Sequence, residues 1–182
     1  MSAEDYFLRG EMVLSLKHEY VAGHVYALSG GSMVHQRIAR NFTRHAGNQL
    51  VGKLCEPTNS DFLVRVKLQD DEAMYYPDGM IICHPVRGDE QFTLAPSVIL
   101  EVLSPSTRRT DEAQKYRDYP TLSSLQTYLL AETESATLTL YRREGESFRR
   151  EVISGLEAIL ELPEVDVRLL LADLYQDVEI GE

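Results

Sequence analysis

No apolar stretch in this 182-residue chain reaches the roughly 18 residues that a membrane-crossing helix requires. The opening residues, Met1-Ser2-Ala3-Glu4-Asp5, are acidic and lack the basic-then-apolar order of a secretory signal. A cytoplasmic protein is the expectation. Cysteine is scarce: Cys55 and Cys83 stand alone, with no CxxC spacing and no Cys/His cluster, which argues against a zinc site. Both lie in apolar surroundings and read as two reduced core thiols. No glycine-rich phosphate cradle is present, so a hydrolase acting on small phosphates is a weak reading. Positive charge is in short supply, with 18 Lys and Arg against 29 Asp and Glu and a net charge of −11. Phosphate contacts from Lys and Arg supply most non-specific nucleic-acid affinity, so such a role would need a local basic patch. Repeats, low-complexity tracts and linkers are also missing. The length suits a single domain over residues 1–182, long enough to bury about 70% of its unfolded surface.

The order of apolar runs and breakers predicts a mixed α/β domain on one central sheet with helices over both faces. A short helix is expected over 4–10, then a hairpin from His18 to Ser29 turning at Ala22-Gly23. Ser32 can cap a helix from Met33 to Val51, in which Val34, Ile38, Phe42 and Ala46 form an i, i+4 stripe. Strands are expected over 61–68, 75–83 and 97–103; the last is nearly all apolar, as a strand covered on both faces would be. Asp111 to Tyr119 is helical in pattern, with Thr110 or Asp111 as its cap. Strands Gln126–Ala131, Thr137–Arg143 and Ser147–Ile153 follow, and a helix from Leu169 to Leu174.

Two segments carry chemistry. Tyr76-Pro77-Asp78 and Ile99-Leu100-Glu101-Val102-Leu103-Ser104-Pro105-Ser106-Thr107 each hold one carboxylate in a strand-like apolar run. Such an acid is costly unless a cation neutralises it. Two of them on neighbouring strands suggest a hard ion, Mg²⁺ or Mn²⁺, held through carboxylate oxygens with several waters retained. Metal-assisted phosphodiester hydrolysis is the chemistry that arrangement serves. Glu101 leaves its strand on the face opposite Leu100 and Val102. If the next helix folds back over the sheet, the Lys115 ammonium reaches the carboxylates, where it balances charge, orients water and stabilises charge on phosphate. The plainer alternatives are an i, i+4 pair of Lys115 with Asp111 on a solvated helix and a turn-forming role for Asp78.

This arrangement resembles the PD-(D/E)XK nuclease superfamily and, more narrowly, the Uma-two family of restriction-endonuclease-like proteins. The match is carried by Glu19-Tyr20-Val21-Ala22-Gly23-His24-Val25-Tyr26, His35-Gln36-Arg37-Ile38, Tyr76-Pro77-Asp78, Glu101-Val102-Leu103-Ser104-Pro105-Ser106-Thr107, and Asp111 with Lys115 and Tyr119. The resemblance implies a restriction-endonuclease-like core, a central mixed sheet flanked by helices. Asp78 and Glu101 would be the motif's two acids, holding the metal with the backbone carbonyl of Val102. Leu103 stands where the superfamily carries Lys, and the resemblance places that role on Lys115. Glu19 resembles an acid that joins the metal cluster in some members, against the alternative of a hairpin surface residue. A homodimer acting on DNA is also implied.

His35, Arg37 and Arg108 are candidate substrate-binding residues, with Arg40, Arg44 and Arg109 as further sources of phosphate contacts; a solvated basic face is their alternative. Tyr119 reads as a packing residue. The leading reading is a metal-dependent endonuclease cleaving DNA phosphodiesters through Asp78, Glu101 and Lys115. Its rival is a non-cleaving binding or accessory protein that keeps the nuclease fold and acts as an oligomer, favoured by the acidic balance and the Leu at 103.

Overall fold

The computed structural model describes residues 17–28, 30–105 and 107–181. The helix expected over 4–10 lies outside them. Strands β1 (His18–Val21) and β2 (His24–Ala27) form the expected hairpin. Ala22 and Gly23 turn it with φ of 45° and 87°, the positive-φ pair that a two-residue hairpin loop favours. Helix α1 (Met33–Leu50) starts at Ser32, whose Oγ accepts a hydrogen bond from the His35 amide at 3.2 Å. Its stripe of Ile38, Phe42, Ala46 and Leu50 is buried, and Gly52 beyond its end takes φ of 76°.

The strands that follow are β3 (Glu56–Asn59), β4 (Leu63–Lys67), β5 (Glu72–Tyr75), β6 (Gly79–Ile82), β7 (Phe92–Thr93) and β8 (Pro96–Val102). After a helical segment come β9 (Thr127–Ala131), β10 (Thr137–Glu144), β11 (Ser147–Ser154), β12 (Ile159–Leu162) and β13 (Val167–Leu170). The short helix Leu171–Leu174 comes last, so only part of the expected Leu169–Leu174 span is helical. No helix among the described residues is long and apolar enough to cross a membrane.

The fold is mixed α+β, as expected, but it has two main sheets rather than one. The central sheet runs β11-β10-β9-β8-β6-β3, with β8 and β9 parallel and the other neighbours antiparallel. A second sheet runs β2-β1-β5-β4-β7. The run expected as one strand over 75–83 is divided between them: β5 belongs to the second sheet and β6 to the central one. Pro77 lies in the break, where its missing N–H costs no ladder bond.

Strand β8 sorts its side chains by the two-residue period. Val98, Leu100 and Val102 pack into the core under α1, while Ile99 and Leu103 join the core shared with the second sheet. Glu101 lies on that second face. Helix α1 and the β12–β13 hairpin therefore cover one face of the central sheet. The other face is covered by the helical segment and by the second sheet, so helices lie on both faces as expected, with a sheet sharing the second. Gly79 lets α1 approach closely, since a Cβ there would stand 2.9 Å from the Phe42 ring.

Cys55 and Cys83 are joined by a disulfide, which overturns the reading of two reduced thiols. The cause is register. Glu56 pairs with Ile82 across β3 and β6, so the residues just beyond face each other with Cα atoms 4.0 Å apart.

Candidate active site

Lys115 is the centre of the site. Its Nζ lies 2.9 Å from Glu101 Oε1, 3.3 Å from Glu19 Oε1 and 3.2 Å from Asp111 Oδ1, and Lys115 is only 5% exposed. Three elements bring these groups together: β1 supplies Glu19, β8 supplies Glu101, and the helical segment supplies Asp111 and Lys115.

That segment starts earlier than the sequence pattern suggested. Ser104 and Thr107 bond reciprocally, the Thr107 amide to Ser104 Oγ at 3.2 Å and the Ser104 amide to Thr107 Oγ1 at 3.4 Å. The Arg108 amide closes the first helical turn on the Ser104 carbonyl at 2.9 Å. Helical residues thus begin at Arg108, ahead of the expected caps Thr110 and Asp111, with the Ser104–Thr107 turn leading into them. The chain is then π-helical over Thr110–Lys115, and 3₁₀ over Tyr119–Thr121, which contains Pro120. A π-turn of this kind is often found at functional sites. Here it presents Asp111 and Lys115 inward from one element, and both are buried.

Asp78 stands beside this cluster. Its Oδ2 accepts a hydrogen bond from the Val102 amide at 2.7 Å and lies 3.0 Å from His35 Nε2. The break between β5 and β6 thus aims its carboxylate at the end of β8. Glu19 is held by the Tyr76 amide at 3.2 Å. Tyr119 donates to Glu101 Oε1 at 2.8 Å, so it belongs to the site as well as to the core. Tyr75 donates to Asp118, and the Lys115 Nζ lies 5.3 Å from the Tyr75 ring centroid.

The electrostatics follow from burial. Burial pushes the Glu101 carboxyl well above the usual range, the neighbouring Asp111, Asp78 and Glu19 push it further, and Lys115 opposes them. Burial works to lower the Lys115 pKa, but Glu101, Glu19 and Asp111 together hold the ammonium well above its ordinary value. Lys115 is therefore a fixed cation and not a base. Burial and the Glu101 charge also raise Tyr119, which stays a neutral donor.

Glu19, His35, Asp78, Glu101, Asp111 and Lys115 line a cavity of about 760 Å³ whose wall also includes Lys17, Tyr26, Tyr76 and Gln114. Four acids, Glu19, Asp78, Glu101 and Asp111, share Lys115 and His35 as partners. Asp111 Oδ1 is near Lys115 but makes no aligned hydrogen bond. An oxygen-only donor set with surplus negative charge suits a hard cation. No three acidic, His or Cys side chains among the described residues form a ready-made cage. Asp78 and Glu101 are carboxylates of the kind that bind Mg²⁺ alongside waters and substrate phosphate.

Two expected substrate contacts lie elsewhere. Arg37 donates to the Asp177 carbonyl at 2.6 Å, and Arg108 is bound by Glu112 and Glu132; neither lines the cavity. Arg44 likewise holds the Gln176 side chain at 2.6 Å. His35 does line the cavity. Asp111, Tyr119 and Tyr75 are site members that sequence reasoning left out. The i, i+4 spacing of Asp111 and Lys115 was the available signal for the first; nothing in the pattern marked Tyr75.

Residues 4–172 match the family described as "Uma2: Putative restriction endonuclease". The chain belongs to that family. Among its relatives are two proteins of the cyanobacterium Synechocystis. "Uncharacterized protein slr1290" is 35% identical over 147 residues, covering 80% of this chain and 76% of that protein. "Uncharacterized protein sll1609" is 30% identical over 149 residues, covering 80% and 82%. A crystal structure described as "a putative nuclease belonging to DUF820" from Anabaena variabilis has the same fold, with a TM-score of 0.71. The match covers 94% of this chain and 96% of that one at 19% identity. A Uma2 chain with a nuclease fold is the setting in which the acid cluster acquires meaning.

Proposed function

We propose that this Uma2 chain is a Mg²⁺- or Mn²⁺-dependent endonuclease that hydrolyses DNA phosphodiester bonds. The observation that carries the reading is the contact of one buried ammonium, Lys115, with Glu101, Glu19 and Asp111 at the wall of an open cavity. Family membership supports it.

Asp78, Glu101 and the Val102 carbonyl would hold the metal, with Glu19 beside them. When bound, the ion supplies Lewis-acid polarisation of the phosphate and a more acidic water. Lys115, fixed in its charged form, donates to the attacking water and offsets the negative charge that grows on the phosphoryl oxygens. Tyr119 keeps Glu101 oriented, and the Val102 amide and His35 orient Asp78. The resemblance extends the reading to a homodimer.

The test is thermal melting during Mg²⁺ and Mn²⁺ titration, comparing wild type with Asp78→Ala/Glu101→Ala. Binding to the folded state raises the melting temperature by mass action. The expected result is a metal-dependent rise in wild type only, together with DNA cleavage lost in Asp78→Ala, Glu101→Ala and Lys115→Ala. Cleavage surviving in all three variants defeats the reading.

A non-cleaving accessory protein has one observation in its favour. Glu101 is already bound by Lys115 and Tyr119, and Asp78 by His35 and the Val102 amide. That reading expects no stabilisation by either ion.

A further inference from the structure

We propose that the site takes an unpaired DNA strand, with a base seated against the Tyr26 ring, and does not take duplex DNA. This rests on the nuclease reading and narrows its substrate.

The register of the β1–β2 hairpin pairs Tyr26 with Glu19. Cross-strand partners project from the same face of a sheet, so the Tyr26 ring stands beside the carboxylate that contacts Lys115. Tyr26 lines the cavity and is 54% exposed, on an edge strand whose four residues are all exposed. Tyr76 lines the same cavity, and its amide holds the Glu19 carboxylate. Tyr26 from β2 and Tyr76, the residue after β5, thus both line the cavity that holds Glu19. An exposed aromatic face at the mouth of a polar cavity is what an unstacked base needs, and such stacking tolerates any base.

The cations point the same way. Lys17, His35 and Lys115 are the Lys, Arg and His side chains in the cavity wall among the described residues. Each is committed to a carboxylate: Lys17 to Asp61, His35 to Asp78, and Lys115 to its three acids. Arg37, Arg44 and Arg108 are tied to the C-terminal segment or to Glu112 and Glu132. Duplex binding draws on many phosphate neutralisations along a rigid backbone. A chain of net charge −11 whose cavity-wall cations are already paired has little to offer one. The cavity, about 760 Å³, falls within the roughly 300–1,000 Å³ of pockets that enclose a small ligand. Glu101 is only 3% exposed, so the scissile phosphate must come in to the acids. A flexible single strand can bend in where a stacked duplex cannot.

Fluorescence anisotropy with a labelled oligonucleotide, alone and annealed to its complement, tests this in Ca²⁺ with wild type, Tyr26→Ala and Tyr26→Phe. The single strand is expected to bind about tenfold or more tighter than the duplex. Tyr26→Ala should lose about tenfold in affinity, and Tyr26→Phe should restore it. All three proteins should melt alike, because the ring is exposed. Equal or tighter duplex binding, an indifferent Tyr26→Ala, or no binding of either form overturns the inference. Cleavage of the same oligonucleotides in Mn²⁺ is read separately. Tyr26-dependent single-strand binding without cleavage removes the nuclease reading alone, whereas duplex bound and cut as well as single strand removes this inference alone.

Discussion

The Nζ of Lys115 and the hydroxyl of Tyr119 both meet the same oxygen of Glu101, at 2.9 and 2.8 Å. Two donors on one carboxylate oxygen orient it, yet the carboxyl remains costly to ionise. Burial raises it most, Lys115 opposes that, and the neighbouring Asp111, Asp78 and Glu19 add to the rise.

A neutral isostere should therefore be more stable. The folded pKa of Glu101 lies above its unfolded value of about 4.3. Ionisation then opposes folding, and stability declines as pH climbs from the unfolded value towards the folded one. Glu101→Gln should melt higher at neutral pH, by about 2–4 °C for each kcal/mol relieved, and should flatten that pH slope. Cleavage should be lost. Melting curves from about pH 5 to pH 8 with an activity assay check both outcomes; a lower melting temperature would contradict the electrostatic account.

The opposite sign is expected for the cation. Lys115→Met leaves Glu19, Glu101 and Asp111 facing one another without their shared partner. Removing one side of a buried ionic cluster costs about 3–5 kcal/mol. Urea unfolding of Lys115→Met should show that loss at neutral pH and a partial recovery in acid, where the carboxylates protonate.

His35 gives a second pH signature. Burial, the largest influence on it, favours the neutral ring, but the hydrogen bond and charge of Asp78 outweigh burial and raise the pKa. A raised histidine stabilises the fold fully below its unfolded pKa of about 6.5, and that contribution is lost as pH rises through the higher folded value. In EDTA, His35→Gln should cost about 1.5–3 kcal/mol near pH 5.5 and clearly less near pH 9. Chemical denaturation at the two pH values tests it, and a pH-independent difference would rule out the charged pair.

Some of this arrangement was open to sequence reasoning and some was not. The Ser32 cap, the α1 stripe and the hairpin turn at Ala22-Gly23 are local, so the pattern shows them directly. Glu101 was legible because a carboxylate is out of place in an apolar strand. The division of 75–83 was hidden because apolar runs, Ala73–Tyr75 and Met80–Ile82, lie on either side of Tyr76-Pro77-Asp78, and only tertiary packing assigns them to different sheets. The π-turn was hidden too, since one short turn does not change a helical period visibly. The β12–β13 hairpin went unseen because a 3₁₀ turn, Pro163–Val165, joins its strands rather than a short glycine turn of the Ala22-Gly23 kind.

The cysteines failed for a related reason: cross-strand register is a tertiary property, and without it two distant residues read as separate thiols. Denatured protein kept free of reductant should show no titratable thiol, rising to two after reduction. Cys55→Ser/Cys83→Ser should lose about 2–4 kcal/mol, given the sequence separation of 28 residues. One or more free thiols before reduction would return the chain to the original expectation.

Arg37 and Arg108 supply the last prediction. The basic residues of α1 looked like a phosphate-binding face, but Arg37 instead clamps the Asp177 carbonyl to the helix, and Arg44 holds Gln176 in the same segment. Arg108 lies between Glu112 and Glu132, tying the helical segment to the end of β9. Partly exposed pairs of this kind contribute about 0.2–1 kcal/mol. Arg37→Ala and Arg108→Ala should therefore each lower the melting temperature slightly and leave oligonucleotide affinity within about twofold of wild type. Tyr26→Ala, which touches none of these clamps, should do the reverse. If either arginine variant instead loses affinity and salt dependence together, its guanidinium leaves its present partner for phosphate, and the division between clamp and substrate contact drawn from these distances fails.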